Sequence, residues 1–385
     1  MSMPSGYSIA DYGDMVDCEP RMPIYAEALK RAVTPGCSVI DIGAGFGIFA
    51  LLACKYGAGS VVAIETDSSI ELLHELAQAN GYADRITIVR GLSTEYTPER
   101  KADVIISDLR GTVPLFEHHI SAIRDARERL LAKGGHLLPM RDTLRVALVR
   151  SPTTYRAAVA PWKSNGYGLD LSAGRRFAVN DSSKVYLNPS ALVSEPVDLA
   201  TLDYRSMTEP NVDGAVELVA KQDCEAQGLL VWFDAEIAEG LTYSNAPGEP
   251  KLVYGQMFLP LAEPMRLKKG ETVTARIRAN LLDSEYIFSW DCDGPADASG
   301  KPSQRFRQST FLRRIIPTET LQPGANTRVP ESSPQIVIDR DCLDLVGEGR
   351  NLGEIAAALL ERHPEHLQSY DQALESVADL MRRYK

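Results

Sequence analysis

Residues 39–47 read Val-Ile-Asp-Ile-Gly-Ala-Gly-Phe-Gly, and this stretch decides the fold. It predicts a short apolar strand, Ser38–Ile42, which runs into a glycine loop and then into a helix over Phe46–Tyr56. Glycine lets the chain turn tightly and lets backbone N–H groups approach a ligand closely. We therefore expect the three glycines of this loop to form the floor of a ligand site.

Strands and helices alternate from Ser38 to about Pro139. The second predicted strand, Ser60–Glu65, ends in an acid, and helices are predicted over Ser68–Asn80 and Glu117–Leu131. This alternation is typical of βαβ units and of a parallel, doubly wound α/β sheet. Glu65 should lie beside the glycine loop, where its carboxylate can accept hydrogen bonds from two ribose hydroxyls.

The spacing of the glycines separates two classes of nucleotide-binding domain. They run G-x-G-x-G here, whereas dinucleotide-binding domains carry G-x-G-x-x-G. Asp41 lies in the strand just before the loop, and a helix at about Pro23–Val33 precedes the first strand. These details favour a Rossmann-like methyltransferase domain that binds S-adenosyl-L-methionine. A nicotinamide or flavin site and a purely structural glycine turn are the alternatives.

The pattern changes after Pro139, where short strands separated by turns predict a β-rich, barrel-like domain. An insertion of about 162–194 interrupts it, and a Pro/Ser/Thr-rich linker follows at 317–335. Apolar periodicity over 336–385 predicts a small three-helix appendage. We therefore predict three domains: a cofactor domain at 1–140, a barrel-like domain at 141–318, and a linker with a helical module at 319–385.

Composition limits the partners. The net charge of −11 argues against a nucleic-acid binder and is compatible with a cationic substrate. No apolar stretch is long enough for a membrane helix, and the first residues do not look like a signal peptide. The six cysteines are scattered without a CxxC pair, so we expect a reduced, cytoplasmic protein with neither disulfides nor a metal site.

Several motifs, in the same order along the chain, resemble those of the protein arginine methyltransferases. The resemblance covers roughly Tyr7 to Thr320. It rests on the glycine loop, on Glu65 and on four further stretches: 15–21 with Tyr25, Ser107–Glu117, Gly135–Pro139 and Tyr167–Asp170. It implies that Arg21 pairs with the carboxylate of the methionyl moiety. It also implies that the insertion carries a dimerisation arm at about 165–195, and hence a homodimer.

Asp108 and Glu117 match the two acids of this family's acceptor loop, with the same nine-residue separation. A guanidinium stays charged near neutral pH and offers a planar fork of donors, which two carboxylates can bind and orient. One of them can accept the proton that the attacking nitrogen loses. We therefore predict both as catalytic residues, acting on arginine in a protein, in a peptide or as the free amino acid. A helix-capping role is the alternative for Glu117.

The acceptor loop also departs from the family. The family's first glutamate is Asp108 here, the Trp-Met that follows it is Leu109-Arg110, and the Ser-Met after its second glutamate is His118-His119. In the β domain, the family's Thr-His-Trp loop falls on Leu252-Val253-Tyr254. Its adenine-binding acid aligns on Thr94, with Glu95 next to it. We expect the histidine pair to be solvated or structurally bonded rather than a proton relay. The predicted cofactor-binding residues are Met15, Arg21, Asp41, Gly43, Gly45, Gly47, Glu65, Thr94, Glu95 and His119.

Arg110 and Tyr254 are the predicted substrate-binding residues. Arg110 has two interpretations: a loop arginine that is exposed or paired with an acid of a helix, or a cation that binds a substrate carboxylate. The departures also keep two other functions open, a methyltransferase for another acceptor in natural-product biosynthesis and a catalytically weak dimeric binding scaffold. The C-terminal helices are either a packing appendage or a module that holds a leader peptide.

Overall fold

A five-stranded parallel sheet forms the core of the N-terminal part of the chain. The computed structural model describes residues 7–296, 300–315 and 333–384. The strand order is β3-β2-β1-β4-β5, and every pairing is parallel. Its strands are β1 Ser38–Ile42, β2 Ser60–Glu65, β3 Ile86–Arg90, β4 Ala102–Ser107 and β5 Leu131–Leu138. All five residues of β1 are buried, as expected of a central strand covered on both faces. The predicted doubly wound α/β fold is confirmed.

Five helices accompany this sheet: α1 Ile9–Val16, α2 Arg21–Ala32, α3 Ile48–Lys55, α4 Leu72–Ala79 and α5 His119–Asp125. Helix α1 was not expected from the sequence, although Ser8 and Asp11 form a capping box at its start. The helix predicted over Glu117–Leu131 begins two residues later, at His119. It is α-helical to Asp125 and π-helical over Ala126–Leu130, and β5 begins at Leu131.

Two antiparallel sheets make up the second half. The first has the order β7-β12-β10-β6-β8 with β11 on β10, and the second has the order β15-β14-β13-β9. Their strands are β6 Arg141–Val149, β7 Ser183–Val185, β8 Val197–Asp203, β9 Val212–Val219, β10 Cys224–Ala238, β11 Leu241–Ser244, β12 Gln256–Leu267, β13 Thr272–Leu282, β14 Glu285–Asp293 and β15 Arg305–Ser309. Strands β7, β9, β11 and β15 were missed, because they are short or carry exposed polar residues.

The insertion in this half is partly helical. Helix α6 spans Pro152–Lys163 and helix α7 spans Ser172–Ala178. They pack closely, since a Cβ on Gly174 would lie 2.1 Å from the Trp162 ring. Between them, Tyr167 is 85% exposed and Leu169 is 63% exposed.

The chain divides into two units, Met1–Arg314 and Ile315–Lys385. The predicted linker at 317–335 lies almost entirely outside the described residues. Over 333–384 the structure contains three helices, α8 Pro334–Gly347, α9 Leu352–Arg362 and α10 Tyr370–Arg383. Their facing sides share an apolar core that includes Leu345, Leu359 and Val377. Helix α9 begins with a capping box formed by Asn351 and Glu354.

Candidate active site

A cleft of about 820 Å³ opens at the carboxyl ends of β1, β2 and β4. This is where parallel α/β sheets bind ligands, and the volume suits a nucleoside together with a small substrate. The N-terminal half supplies most of the lining, and three residues of the second half, Lys184, Val253 and Tyr254, complete it.

The glycine loop has the backbone that the sequence predicted. Gly43, Gly45 and Gly47 all have positive φ, at 70°, 56° and 90°. A Cβ on Gly43 would lie 2.1 Å from Leu109 Cδ2, and one on Gly47 would lie 2.4 Å from Leu73 Cδ1. Both the conformation and the packing therefore require glycine at these positions.

Glu65 ends β2 beside this loop and lines the cleft. Its Oε2 accepts a hydrogen bond from the N–H of Gly45 at 3.0 Å, and its Oε1 accepts from the N–H groups of Thr66 at 2.7 Å and Asp67 at 2.9 Å. The carboxylate is thus fixed by the backbone, in the position from which it could reach ribose hydroxyls.

Asp41 lies beneath the loop and outside the cleft lining, which corrects the expectation that it contacts the cofactor. Its Oδ2 accepts from the N–H of Ala50 at 3.0 Å, near the start of α3. Burial raises the pKa of this carboxyl to about 8, although the bond from Ala50 acts in the opposite direction. Asp41 therefore positions the helix that follows the loop.

Thr94 and Glu95 are also placed differently from expectation. Both are exposed in a turn, and the cleft lining ends with Leu92 and Ser93 just before them. Leu92 and Ser93, and not the predicted pair, therefore border this end of the cleft.

Arg21 begins α2 and reaches the centre of the cleft. Its Nη1 donates to the backbone oxygen of Met15 at 3.0 Å, so both predicted residues lie together. Its Nε and Nη2 donate to Oδ2 of Asp108 at 2.7 and 2.6 Å. The guanidinium is almost completely buried, and one N–H of Nη2 has no bond to any described residue.

Asp108, the first predicted catalytic acid, is already surrounded by donors. Besides Arg21, the hydroxyl of Tyr254 donates to Oδ2 at 2.6 Å, and Nη1 of Arg110 donates to Oδ1 at 3.0 Å. Burial by itself would raise the pKa of Asp108, but Arg21 and Arg110 outweigh it and hold the pKa at about 2. The carboxylate is thus ionised and, in this structure, not open to a substrate guanidinium, contrary to expectation.

Arg110 is not available to bind a substrate carboxylate, which corrects the interpretation that gave it that role. Its side chain has no exposed surface. Its Nε and Nη2 donate to the two oxygens of Asp142 at 2.8 and 2.9 Å, and its Nη1 also donates to the hydroxyl of Tyr25 at 2.6 Å. The planar fork is therefore occupied by a buried carboxylate of matching shape.

Asp142 was missed in the sequence, although a signal for it exists. It lies in β6, where Asp142, Leu144 and Val146 are buried and alternate with more exposed neighbours. Since side chains in a strand alternate between its faces, an acid on the same face as Leu144 and Val146 should have an internal cation as its partner.

Glu117, the second predicted catalytic acid, contrasts with Asp108. It is exposed, it lines the cleft, and it has a φ of 42°. Its carboxylate makes no hydrogen bond or ion pair with any residue that the structure describes. The N-cap of α5 is His118, so Glu117 does not cap that helix. Its side chain is open to a ligand in the cleft.

His119, the first residue of α5, lines the cleft but is almost fully buried. Its Nε2 lies 3.2 Å from the hydroxyl of Tyr204, whose own proton goes to Oδ2 of Asp142 at 2.5 Å. Burial, helped by the charge of Arg110, lowers the pKa of His119 to about 3, so the ring is neutral. Its partner confirms the expectation of a structurally bonded histidine.

Two family models match the chain. Residues 141–294 match the "Arginine methyltransferase oligomerization subdomain", and residues 24–136 match "Ribosomal protein L11 methyltransferase (PrmA)". Among curated proteins, the arginine N(omega)-methyltransferase of Streptomyces achromogenes subsp. streptozoticus is 32% identical over 65% of this chain and 70% of its own. Protein arginine N-methyltransferase 1.1 of Arabidopsis thaliana is 29% identical over 66% of this chain and 68% of its own.

Solved structures have the same fold. A chain of the Trypanosoma brucei PRMT1 enzyme-prozyme heterotetrameric complex with AdoHcy superposes with a TM-score of 0.70 at 25% identity, over 79% of this chain and 99% of that one. Protein arginine methyltransferase 10 of Arabidopsis thaliana gives a TM-score of 0.69 at 20% identity, over 78% and 97%.

Proposed function

Because the chain belongs to the protein arginine methyltransferase family, we propose that it transfers a methyl group from S-adenosyl-L-methionine to a guanidinium nitrogen of arginine. The observation that supports this most directly is Glu117, an unpaired carboxylate that faces the same cleft as the glycine loop and Glu65. A methyl acceptor that stays positively charged, such as a guanidinium, needs such an anion, whereas an uncharged acceptor does not.

The residues present fit the cofactor. Glu65 is positioned to accept from the ribose hydroxyls, the glycine loop gives close backbone access, and Leu92 with Ser93 borders the far end of the cleft. Arg21, with its remaining N–H, would hold the methionyl carboxylate. When bound, the cofactor supplies an electrophilic methyl group on a positively charged sulfur.

Glu117 would bind the guanidinium fork of the acceptor and turn one nitrogen toward that methyl group. The bound cofactor would supply the methyl group to the lone pair of that nitrogen, and its sulfur would keep the electron pair of the bond to the departing methyl group. The nitrogen releases one proton, and the Glu117 carboxylate is the group placed to accept it. Arg21 and Asp108 neutralise each other, and so they keep the floor of the cleft rigid and of low net charge.

A methyltransferase acting on a different acceptor is the second candidate. It is favoured by the commitment of Asp108 to Arg21, Arg110 and Tyr254, which leaves the guanidinium one open carboxylate instead of two. Turnover of labelled cofactor with free arginine, arginine amide, an arginine peptide and no acceptor separates these cases. Label in none of the three arginine compounds would refute the proposed function.

We also propose a homodimer in a reduced, cytoplasmic setting. The support for the dimer is the exposed apolar stretch of Tyr167 and Leu169 in the predicted arm, together with the match to an oligomerisation subdomain. All six cysteines are free thiols. Light scattering at micromolar concentration should give twice the monomer mass, and Tyr167→Ser with Leu169→Ser should reduce it. A wild-type monomer would contradict the proposal.

A further inference from the structure

We propose that His119 is a specificity-determining residue of the acceptor site, in which its Nδ1 accepts a hydrogen bond from an N–H of the substrate guanidinium. The inference rests on the proposed methyl transfer to arginine. It moves His119 from the cofactor side, where the sequence placed it, to the acceptor side.

A chain of hydrogen bonds fixes the tautomer of His119. The Asp142 carboxylate is ion-paired with Arg110 and can only accept, so the Tyr204 hydroxyl must donate its proton to it. The Tyr204 oxygen is then an acceptor, and the Nε2 of His119 must carry the hydrogen that it accepts. In a neutral ring, the other nitrogen, Nδ1, is left with a lone pair.

That lone pair has no partner among the described residues. His119 Nδ1 is one of the few buried polar side-chain atoms in the described chain that lack a hydrogen bond. A buried acceptor without a donor destabilises the fold, and such atoms call for an explanation. Since His119 lines the cleft, a bound molecule can supply the donor.

The surroundings of His119 point to the acceptor as that molecule. Its ring is linked through Tyr204 and Asp142 to Arg110, which follows β4, whereas Glu65 lies at the end of β2. Glu117, the open carboxylate, is two residues away in the chain. A guanidinium offers five N–H donors and no acceptor, so one carboxylate and one neutral imidazole can bind two of its edges. Glu117 and His119 would then hold the guanidinium in place of the predicted pair of acids, Asp108 and Glu117.

Two substitutions divide the functions of the imidazole. In His119→Asn, the side-chain oxygen can occupy the place of Nδ1, but the bond to Tyr204 is lost. In His119→Gln, the amide can reach Tyr204, but the acceptor at the Nδ1 position is lost. We expect Gln to lower kcat/KM for arginine at least tenfold, mainly through KM, and Asn to retain more activity than Gln. Calorimetry with S-adenosylhomocysteine should give similar affinities for both variants and the wild type.

A nuclear magnetic resonance experiment on ¹⁵N-histidine-labelled protein provides a readout independent of turnover. The Nδ1 of His119 should be unprotonated, and its resonance should shift when arginine is added to the S-adenosylhomocysteine complex. A protonated Nδ1, an unmoved resonance, or a Gln variant at least as active as Asn would overturn the proposal for His119. Wild-type protein that fails to methylate any arginine compound would instead refute the proposed function.

Discussion

Strands β2 and β4 lie on either side of β1 in the parallel sheet, and each leads to a carboxylate at the same edge. The two carboxylates are held in different ways. Glu65 at the end of β2 is held by backbone N–H groups, those of Thr66 and Asp67 directly after it and that of Gly45 in the glycine loop. Asp108, just after β4, is held by the side chains of Arg21, Arg110 and Tyr254. A site made of backbone depends on local conformation, whereas a site made of side chains depends on the whole fold. The cofactor half and the acceptor half of the cleft differ in this way.

Removing the charge of Glu117 should have the largest effect on the acceptor half. Glu117→Gln keeps the shape of the side chain, and turnover with arginine should fall roughly 10²–10⁴-fold because the anion and the proton acceptor are both lost. Affinity for S-adenosylhomocysteine, measured by calorimetry, should stay within about twofold. Exposed Glu99 offers a matched control, and Glu99→Gln should be as active as wild type. A fully active Glu117→Gln enzyme would show that Glu117 does not bind a guanidinium of the substrate.

The buried ion pair of Arg110 and Asp142 gives a stability test of the same half. Asp142→Ala alone leaves a buried arginine with fewer partners and should lower the free energy of unfolding by about 3–5 kcal/mol. Adding Arg110→Met should restore much of this loss, because no uncompensated charge then remains. Urea denaturation of both single variants and the double variant measures the coupling. Additive losses would show that the two side chains do not depend on each other.

The cofactor half is tested by Glu65→Ala, which leaves the ribose hydroxyls and three backbone N–H groups without their acceptor. Cofactor affinity should weaken by about 1–3 kcal/mol, with a smaller change in KM for arginine. Calorimetry with S-adenosylhomocysteine checks this. Unchanged affinity would show that Glu65 does not bind the cofactor. The contrast between the cofactor half and the acceptor half of the cleft would then be wrong.

The neutral His119 predicts a pH dependence of stability. Its pKa is about 3 in the folded protein, and unfolding would return it to about 6.5. The unfolded chain therefore binds more protons between these values, so this residue's contribution is present above pH 6.5 and is lost as the pH falls toward 3. The slope is at most about 1.4 kcal/mol per pH unit. His119→Gln should flatten the fall in unfolding free energy between pH 6.5 and 5, and an unchanged slope would be evidence against a buried neutral ring.

The same contrast explains what could be predicted from the sequence. The glycine loop and Glu65 were predictable because strand, turn and helix follow one another, and local spacing encodes their geometry. The acceptor half could not be derived in that way. Asp142 lies far from Arg110 in the chain, and Tyr204 lies far from Asp142, so only the fold brings them together. Asp108 likewise depends on the distant residues Arg21 and Tyr254, so a motif that predicted its position could not predict its partners.

Other differences have similar causes. The overlooked strands β7 and β11 have three and four residues, too few for an alternating pattern to stand out. Thr94 and Glu95 were placed by alignment with the family, but the direction in which a turn presents its side chains depends on backbone geometry that spacing does not specify.

The left-handed backbone of Glu117 implies a conflict between the stability of the fold and the activity. A φ of 42° is unfavourable for any residue with a Cβ, by roughly 1–2 kcal/mol, and glycine largely escapes that cost. Glu117→Gly should therefore unfold at higher urea concentration than Glu117→Ala, although both lack the carboxylate and neither should turn over. Selection for stability alone would place glycine here. A glutamate at a position whose backbone favours glycine is consistent with a side chain that acts through its chemistry.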